Sequence, residues 1–382
     1  IYDYQKKLGA VFGLNYGWEH PLYFDKNCAE SAGFTRQNWW YSVGREAKML
    51  RNSVGVIDIS NFAKYSCKGS GAEKWLNSVF ANKMPSKIGR SCLTPLISVF
   101  GGVAGDATVT RISDDEFWVV SSGISERYQK RFYKNVKLPE NTTFRSRTDE
   151  ICGFNIAGPK SREILQRLTN QDLSNKKWSF MRSGNLSIAG VSCLALRISF
   201  TGDLGWEIYC DSSKQQIVYE ALIQEALREN GGPVGSRALM SLRIEKGYGS
   251  WSREYSPEVW PHECGLDKLC KLNKEFLNKG ALEKNLKSKP RERLMLIHLN
   301  EEDCNSSNAD ATGGEPVFKN GKGLGRITSG AYGYTVGMSL ALGYLKNVTA
   351  GDDVEVMILG RPHRGKILEA PPFDPKGQIL RG

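Results

Sequence analysis

The sequence predicts a protein of mixed strands and helices in two or three domains, followed by a small all-β domain at the C-terminal end. Its 382 residues exceed the size of an ordinary single domain, and its 40% hydrophobic and 24% charged residues are typical of a globular chain. Strand-like and helix-like segments alternate as far as a basic linker at residues 284–293. Short strands with regular turns follow that linker, and this pattern favours a β-sandwich or barrel.

The first half of the chain contains strands and amphipathic helices in alternation. Val54–Ile59 is predicted as a buried strand and Gly71–Met84 as a helix with one apolar face. Leu96–Arg111 consists of two predicted strands joined by a glycine-rich turn, and a helix is predicted over Ser125–Val136. Another strand is expected at Ile151–Ala157. These elements predict at least one sheet covered by helices.

The stretch Arg197–Tyr209 contains two predicted strands around the turn Thr201-Gly-Asp-Leu-Gly205, and Trp206 and Glu207 follow this turn at once. Because neighbouring strand residues face opposite sides of a sheet, Trp206 is expected to pack inward while Glu207 points into a cavity. A carboxylate held in this way suits a heterocycle with adjacent N–H donors, such as an aminopyrimidine or a pterin. The alternative is a hairpin with a core tryptophan and a glutamate that faces solvent.

Two helices are predicted after this stretch. The first is amphipathic, spans Ser213–Glu229 and has Ile217, Leu222 and Leu227 on its inward side. The second spans Arg237–Lys246. Beyond the basic linker, Asn320-Gly321 is the strongest hairpin pattern in the chain.

Composition and spacing exclude several functional classes. The nine cysteines form no Cys-x-x-Cys pair, so a zinc site is not expected, and reduced thiols fit a cytosol-like compartment. The net charge of +11 is spread along the chain, which favours an anionic small ligand or an acidic partner over nucleic acid. No apolar run long enough to span a membrane is present, so no membrane partner is expected. The cytoplasm, or the mitochondrial matrix in a eukaryote, is the expected location.

The chain has no glycine-rich nucleotide-binding motif in the strand–loop–helix context that such a motif requires. Gly321, Gly323 and Gly325 lie in a predicted hairpin with no helix after it, so this chain alone is not expected to bind FAD or NAD. The chain begins with Ile1 instead of methionine. Either its start was processed or trimmed, or it is one part of a longer polypeptide.

Six motifs are shared, in the same order, with one enzyme family. They are Tyr16-Gly-Trp-Glu-His-Pro21, Gly101-Gly-Val-Ala-Gly-Asp106, Gly158-Pro-Lys160, Thr201-Gly-Asp-Leu-Gly-Trp-Glu207, Leu242-Arg-Ile-Glu-Lys-Gly-Tyr248 and Ile327-Thr-Ser-Gly330. The chain resembles the aminomethyltransferase (T-protein) of the glycine cleavage system. It resembles still more closely the C-terminal half of dimethylglycine and sarcosine dehydrogenases, whose ending is similar to Pro371-Pro-Phe-Asp-Pro-Lys376.

The resemblance implies an α+β fold of three domains, arranged as a cloverleaf around a central cavity that holds tetrahydrofolate. The implied central domain comprises residues 1–55 and 145–250, and a second α+β domain at 56–144 carries the loop that ends at Asp106. Residues 251–290 form a connecting segment, and residues 291–382 form the C-terminal β-barrel, jelly-roll-like domain.

The resemblance also implies roles for individual residues. Asp106 corresponds to the acid at the reacting folate nitrogen, although the aspartate that precedes it in the T-protein is Gly105 here. Glu207 corresponds to the carboxylate that binds the pterin, and Tyr248 to a folate-contacting tyrosine. Phe200 replaces a second tyrosine, which removes a hydroxyl hydrogen bond worth about 1 kcal/mol.

Three further residues belong to the expected cofactor site. Trp206 is included because it lies beside Glu207. Leu239-Met240 departs from the family pattern, so Arg237 is the candidate that supplies an arginine contact to the folate. Arg243 is the weaker candidate, because an Arg-x-Glu sequence on a helix is often a structural pair.

Three functions stay open. The first is a folate-dependent transferase that moves a methylene or methyl group from a small methylated amine, or from an aminomethyl group on a lipoyl carrier protein, to tetrahydrofolate. In such an enzyme a carboxylate beside the folate nitrogens takes a proton and stabilises developing positive charge. The second is the folate half of a demethylating flavoenzyme whose FAD domain lies upstream or on a partner subunit. The third is a non-catalytic member, such as the regulatory subunit of pyruvate dehydrogenase phosphatase.

Overall fold

The computed structural model describes residues 1–15 and 17–382, so Tyr16 of the first motif lies outside the described residues. In chain order the strands are β1 Ala10–Asn15, β2 Trp18–Phe24, β3 Gly55–Asp58, β4 Ala63–Lys68, β5 Ser91–Ile97, β6 Val103–Arg111, β7 Glu116–Ser121, β8 Thr143–Ser146, β9 Ile151–Ala157, β10 Ser183–Ile188, β11 Val191–Leu196, β12 Gly205–Asp211, β13 Gly232–Val234, β14 Arg293–Leu299, β15 Pro316–Lys319, β16 Lys322–Gly333, β17 Met338–Leu345, β18 Asp353–Ile358 and β19 Arg361–Ile367. The α-helices are α1 Tyr2–Lys7, α2 Trp40–Asn52, α3 Ala72–Val79, α4 Glu126–Lys134, α5 Ser161–Leu168, α6 Gln215–Arg228, α7 Ser236–Glu245, α8 Lys279–Leu286, α9 Glu301–Ser307 and α10 Gln378–Arg381.

A six-stranded sheet lies between two helical layers. Its strand order is β10-β11-β12-β9-β3-β13, and β13 pairs with β3 in parallel while the other pairs are antiparallel. Helices α5 and α6 cover one face, where Ile164 and Leu222 share a core with Trp206. Helices α2 and α7 cover the other face, where Leu50 and Leu242 pack with the strand residues. We call these the outer face and the inner face of the sheet.

A five-stranded sheet with the order β5-β6-β7-β4-β8 shares the inner core of the first sheet. Helices α3 and α4 cover one of its sides, where Trp75 and Phe132 are buried. On its other side, Trp118 and Val120 of β7 pack into the same core as Tyr209 of β12. The two sheets therefore face each other across one apolar layer.

The C-terminal strands close into a barrel in the order β14-β17-β16-β15-β18-β19. Its interior is filled by aliphatic side chains such as Ile297, Val317 and Val356. The predicted α+β class and the C-terminal barrel are confirmed. The boundaries of the expected domains stay a prediction, although β3 extends past the expected boundary at residues 55 and 56 and β8 past the one at 144 and 145.

Helix α6 corrects one prediction about packing. Leu222 is buried as expected, but Ile217 and Leu227 are 47% and 51% exposed. The buried residues of this helix are Val218, Tyr219, Leu222, Ile223, Glu225 and Ala226, so the buried stripe lies one residue after Ile217 and one residue before Leu227. None of the helices in the described part of the chain has both the length and the apolarity that crossing a bilayer requires.

Arg51 at the end of α2 connects four parts of the chain. Its Nη1 donates to the carboxylate of Asp203 and, at 3.0 Å, to the carbonyl oxygen of Thr201. Its Nη2 lies 2.9 Å from Oε2 of Glu245 at the end of α7. The guanidinium also lies 3.4 Å from the ring centre of Phe373 in the C-terminal segment. One buried cation thus fixes the turn before β12, helix α7 and the C-terminal segment to α2.

We predict that Arg51→Met lowers the free energy of unfolding by about 3–5 kcal/mol, because it leaves two buried carboxylates without their cation. Urea unfolding followed by circular dichroism measures the effect. Arg45→Met on the same helix is the matched control, since Arg45 is exposed and pairs with Asp25 at the surface, where a pair is worth about 0–1 kcal/mol. Equal losses in the two variants would contradict the role of Arg51.

Candidate functional site

Asp106 extends from the middle of β6, whose start is fixed by close backbone packing. Gly101 has a φ of +78°, and Gly102 lies so close to the carbonyl oxygen of Pro257 that any side chain would collide with it. The amide of Val103 then donates to the carbonyl of Val259 at 2.9 Å. A strand anchored at this point holds the carboxylate of Asp106 in one position.

The carboxylate of Asp106 is deep in the molecule but keeps partial access to solvent. Burial raises its pKa to about 6, because a charged carboxylate loses hydration there. Burial, and after it the charge of Asp106, also raise the pKa of the Tyr133 and Tyr255 hydroxyl groups, which shows that both tyrosines lie near this acid. Within the described residues, Asp106 forms no ion pair.

The structure explains why glycine precedes Asp106. A β-carbon at Gly105 would collide with Nε2 of Gln129 on α4. The Gln129 side chain is buried, and its Oε1 accepts hydrogen bonds from Ser121 Oγ at 2.8 Å and from the Tyr133 hydroxyl at 3.0 Å. Gln129 therefore occupies the space that a second acidic side chain would need.

Glu207 lies on the inner face of the six-stranded sheet, between its cross-strand neighbours Asn155 and Leu196. Its Oε2 accepts a hydrogen bond of 2.7 Å from the Tyr209 hydroxyl, which lies two residues further along the same face. Burial raises the pKa of Glu207 to about 7. The Asn155 Oδ1 atom beside it is buried without a hydrogen-bond partner. Two adjacent acceptors, Glu207 and Asn155 Oδ1, thus have unused capacity on this face.

The other buried acids of the described chain are neutralised in ways that Glu207 is not. Asp203 and Glu245 pair with Arg51, Glu225 with Arg228, Glu254 with Arg243 and Glu263 with Arg291, and Glu46 accepts two backbone N–H groups. An unpaired buried acid costs folding free energy. Asp106 and Glu207 therefore differ from the acids that pair with an arginine, a property that they share with Glu46, whose pKa burial raises to about 8.

Phe200 and Tyr248 form an aromatic pair at the junction with the C-terminal segment. Their ring centres lie 6.0 Å apart and the planes are inclined by 20°. Both rings are partly exposed, and burial raises the pKa of Tyr248 to about 12. Next to Tyr248, the backbone of Gly249 packs directly against the ring of Tyr255, which lies near Asp106. Tyr255 therefore lies close both to Gly249, the neighbour of Tyr248 in the chain, and to Asp106.

Trp206 is placed differently from Glu207. The inward packing predicted for its ring is confirmed, since it is fully buried in the core under α5 and α6. That core lies on the outer face of the sheet, opposite Glu207. Its place among the cofactor-binding residues stays a prediction, although the sheet would separate Trp206 from a ligand at Glu207.

The two candidate arginines both have protein partners. Arg243 is fully buried, its Nη1 lies 2.9 Å from Glu254, and its Nη2 lies 2.7 Å from Ser329 Oγ. Arg243 thus links α7 to the barrel, and its cofactor role stays a prediction. Arg237 pairs with Glu30 and lies 4.1 Å from the ring centre of Trp39, so its cofactor role stays a prediction.

Sequence reasoning missed Asn155, Tyr209 and Tyr255. The strand period of two was sufficient to place Tyr209 on the face of Glu207. Asn155 was visible as an amide within an apolar strand, but its position beside Glu207 depends on strand pairing. Two clefts of about 560 Å³ and 330 Å³ lie near Arg162 and Lys177, and neither is lined by Asp106 or Glu207.

Two family models match the chain. The model described as the GCVT N-terminal domain matches residues 1–274, and the model of the glycine cleavage T-protein C-terminal barrel domain matches residues 293–374. The aminomethyltransferase T of the Bartonella henselae glycine cleavage system has a similar fold, with a TM-score of 0.83 at 20% identity, and the match covers 98% of this chain and 97% of that one.

Curated relatives fall into two groups that differ in length. Mitochondrial dimethylglycine dehydrogenase of Rattus norvegicus is 34% identical over 94% of this chain and 42% of its own length. 4-Methylaminobutanoate oxidase (formaldehyde-forming) of Paenarthrobacter nicotinovorans is 29% identical over 98% of this chain and 46% of its own length. The chain thus spans less than half of these proteins.

The aminomethyltransferase of Thermotoga maritima, by contrast, is matched over almost its whole length. It is 29% identical over 97% of this chain and 94% of its own length. Relatives of both groups are enzymes by their names. Because the two family models together match most of the chain, the resemblance noted in the sequence is confirmed. The chain belongs to the glycine cleavage T-protein family.

Proposed function

We propose that the chain binds tetrahydrofolate between Glu207 and Asp106 and transfers a one-carbon group onto it from a small methylated amine or an aminomethyl carrier. The observation that carries the proposal is that, within the described residues, Asp106 and Glu207 have no basic partner, whereas the other buried acids except Glu46 each pair with an arginine. Glu46 instead accepts two backbone N–H groups. Family membership supplies the second support. Enzymatic activity accounts for Asp106 better than a purely regulatory role does, because nothing structural requires an unpaired acid there.

The residues around Glu207 fit the aminopyrimidine edge of a pterin. Such an edge presents adjacent N–H donors, and the free acceptors of the Glu207 carboxylate and Asn155 Oδ1 lie side by side on one sheet face. The buried Trp118 Nε1 has no partner either, and its ring centre lies 6.0 Å from that of Tyr209. It could donate to a ring carbonyl. The Phe200 and Tyr248 rings offer apolar surface to the rest of the molecule.

When bound, tetrahydrofolate supplies the nucleophilic nitrogens to which a one-carbon group can be attached. Asp106 would hold its charge beside them and accept the proton that the nucleophile releases. With a pKa of about 6 this acid is mostly ionised at neutral pH, yet it is a stronger base than an exposed aspartate. Its rigid strand keeps the acceptor oxygen in one place, which lowers the entropic cost of the transfer.

Two kinds of donor are consistent with the family. A lipoyl carrier protein would present an aminomethyl group, as for a T-protein that acts alone. The higher identity to dimethylglycine dehydrogenase, 34% against 29% for the Thermotoga aminomethyltransferase, favours a small N-methyl amine and a flavin-containing domain or subunit as partner. In that arrangement the flavin partner oxidises the amine and this chain captures the released one-carbon unit.

We predict that Asp106→Asn lowers the transfer rate about 10²–10⁴-fold, because the acceptor for the proton is lost. The substitution keeps the shape of the side chain, so the Kd for tetrahydrofolate should stay within about threefold. Mass-spectrometric detection of the folate product with sarcosine, dimethylglycine and an aminomethyl-lipoyl protein as donors measures the rate. Asp114→Asn, at an exposed turn, is the control. Full activity of the Asp106 variant with any of these donors would sink the proposed role.

We predict that tetrahydrofolate binding weakens about tenfold as the pH falls from 8 to 6, because only the ionised Glu207 accepts two N–H donors and its pKa is about 7. Unliganded stability changes in the opposite direction. The folded chain binds this proton more tightly than the unfolded one, so stability decreases as the pH rises through 7. Glu207→Gln should weaken binding about 10–100-fold and remove the pH dependence. Isothermal titration calorimetry across this pH range measures the affinity for tetrahydrofolate. A pH dependence of binding that is unchanged in Glu207→Gln would refute the role assigned to Glu207.

A further inference from the structure

The outer face of the six-stranded sheet carries two arginines that have no acidic partner among the described residues. Arg197 follows β11 and is fully buried, and its guanidinium lies 4.7 Å from the ring centre of Trp206. Arg162 of α5 lies 5.7 Å from the same ring. The other fully buried arginine of the described chain, Arg243, pairs with a carboxylate. Two guanidinium groups therefore share one aromatic ring without a counter-charge.

Several donors at this place are unused. Nη1 of Arg197 donates to the carbonyl of Gly205 at 3.3 Å, but its Nε and Nη2 are buried and have no partner. Nε1 of Trp206 is also buried without a partner. A buried N–H group that lacks an acceptor costs about 1–3 kcal/mol, and more when it is charged. An acceptor is therefore expected at this position.

Nη2 of Arg197, which has no partner in the described part of the chain, and Nη2 of Arg162, which also donates to Asn175 Oδ1 at 3.3 Å, converge on one point beside Gly382. The position that a β-carbon would take at Gly382 lies 2.8 Å from Nη2 of Arg162 and 2.9 Å from Nη2 of Arg197. Both distances suit a hydrogen bond to an oxygen atom. Because residue 382 is a glycine, no side chain occupies the point.

An open cleft of about 560 Å³ gives access to the same neighbourhood. It is lined by Arg162 and Leu204, and a β-carbon at Gly382 would lie 3.1 Å from Leu204 Cδ1. Glu163 and Asp172 also line the cleft, but Glu163 pairs with Arg167. Arg162 is thus reachable from solvent through the cleft, whereas Arg197 is fully buried and does not line it.

We propose that Arg162 and Arg197 form a binding site for a carboxylate or phosphate oxyanion on the outer face of the sheet, separate from the proposed folate site. Guanidinium groups bind such oxygens with paired, charge-assisted hydrogen bonds. Burial, and after it repulsion from Arg162, lower the pKa of Arg197 to about 10, as befits a cation pair that awaits an anion. The oxyanion comes from a free small molecule.

Binding of inorganic phosphate tests the site. Calorimetry and thermal unfolding of the chain are measured at an ionic strength kept constant with sodium chloride. Saturable binding and a higher Tm are expected, with Arg162→Gln weakening the affinity at least tenfold. Arg167→Gln is the matched control, because Arg167 lines the same cleft but is already paired with Glu163 and Glu229. It should bind phosphate as the parent does.

The proposal is overturned if the chain does not bind phosphate saturably, or if Arg162→Gln and Arg167→Gln weaken binding to the same extent.

Discussion

The buried ion pairs of Arg51 are the constraint on which the rest of the structure depends. Asp203 lies in the turn that leads into β12, and Glu245 ends α7 shortly before Tyr248. By neutralising both acids, Arg51 fixes where β12 begins and where the segment containing Tyr248 leaves its helix. A buried cation that satisfies two carboxylates stabilises the fold only while all three groups stay together. The ion pairs of Arg51 therefore determine the geometry of the proposed site, although Arg51 need not contact a ligand.

Strand β12 places different functional groups on the two faces of the sheet. Once the turn fixes its register, Trp206 points to the outer face and Glu207 to the inner face, and a slip of one residue would exchange them. On the inner face the sheet presents an unpaired acid beside a free amide oxygen. On the outer face it presents an indole ring under two unpaired guanidinium groups. The backbone of the sheet thus separates the acid on the inner face from the two guanidinium groups on the outer face.

Much of this could be predicted from the sequence, and the failures have physical causes. The C-terminal barrel and the opposite orientation of Trp206 and Glu207 follow from turn chemistry and the strand period, which are local properties. The stripe predicted for α6 was wrong at Ile217 and Leu227, because residues five positions apart do not share one face of a helix with 3.6 residues per turn.

Contacts between segments that lie far apart in the chain could not be predicted from the sequence. The position of Asn155 beside Glu207 is set by strand pairing, and the approach of Tyr255 to Asp106 is set by the path of an irregular segment. The space that Gln129 takes under Gly105 comes from the packing of α4 on the sheet. Resemblance to a family identified Asp106 and Glu207 as site residues, but only the structure shows that both acids lack a cation.

A crystal structure of the chain with 5-formyltetrahydrofolate, a reduced folate that resists oxidation, tests the central claim most directly. The account predicts that the aminopyrimidine edge lies about 3 Å from the Glu207 carboxylate, with the folate N5 and N10 atoms on the side of Asp106. Folate bound on the outer face beside Trp206, or density that leaves both acids without contact, would contradict it.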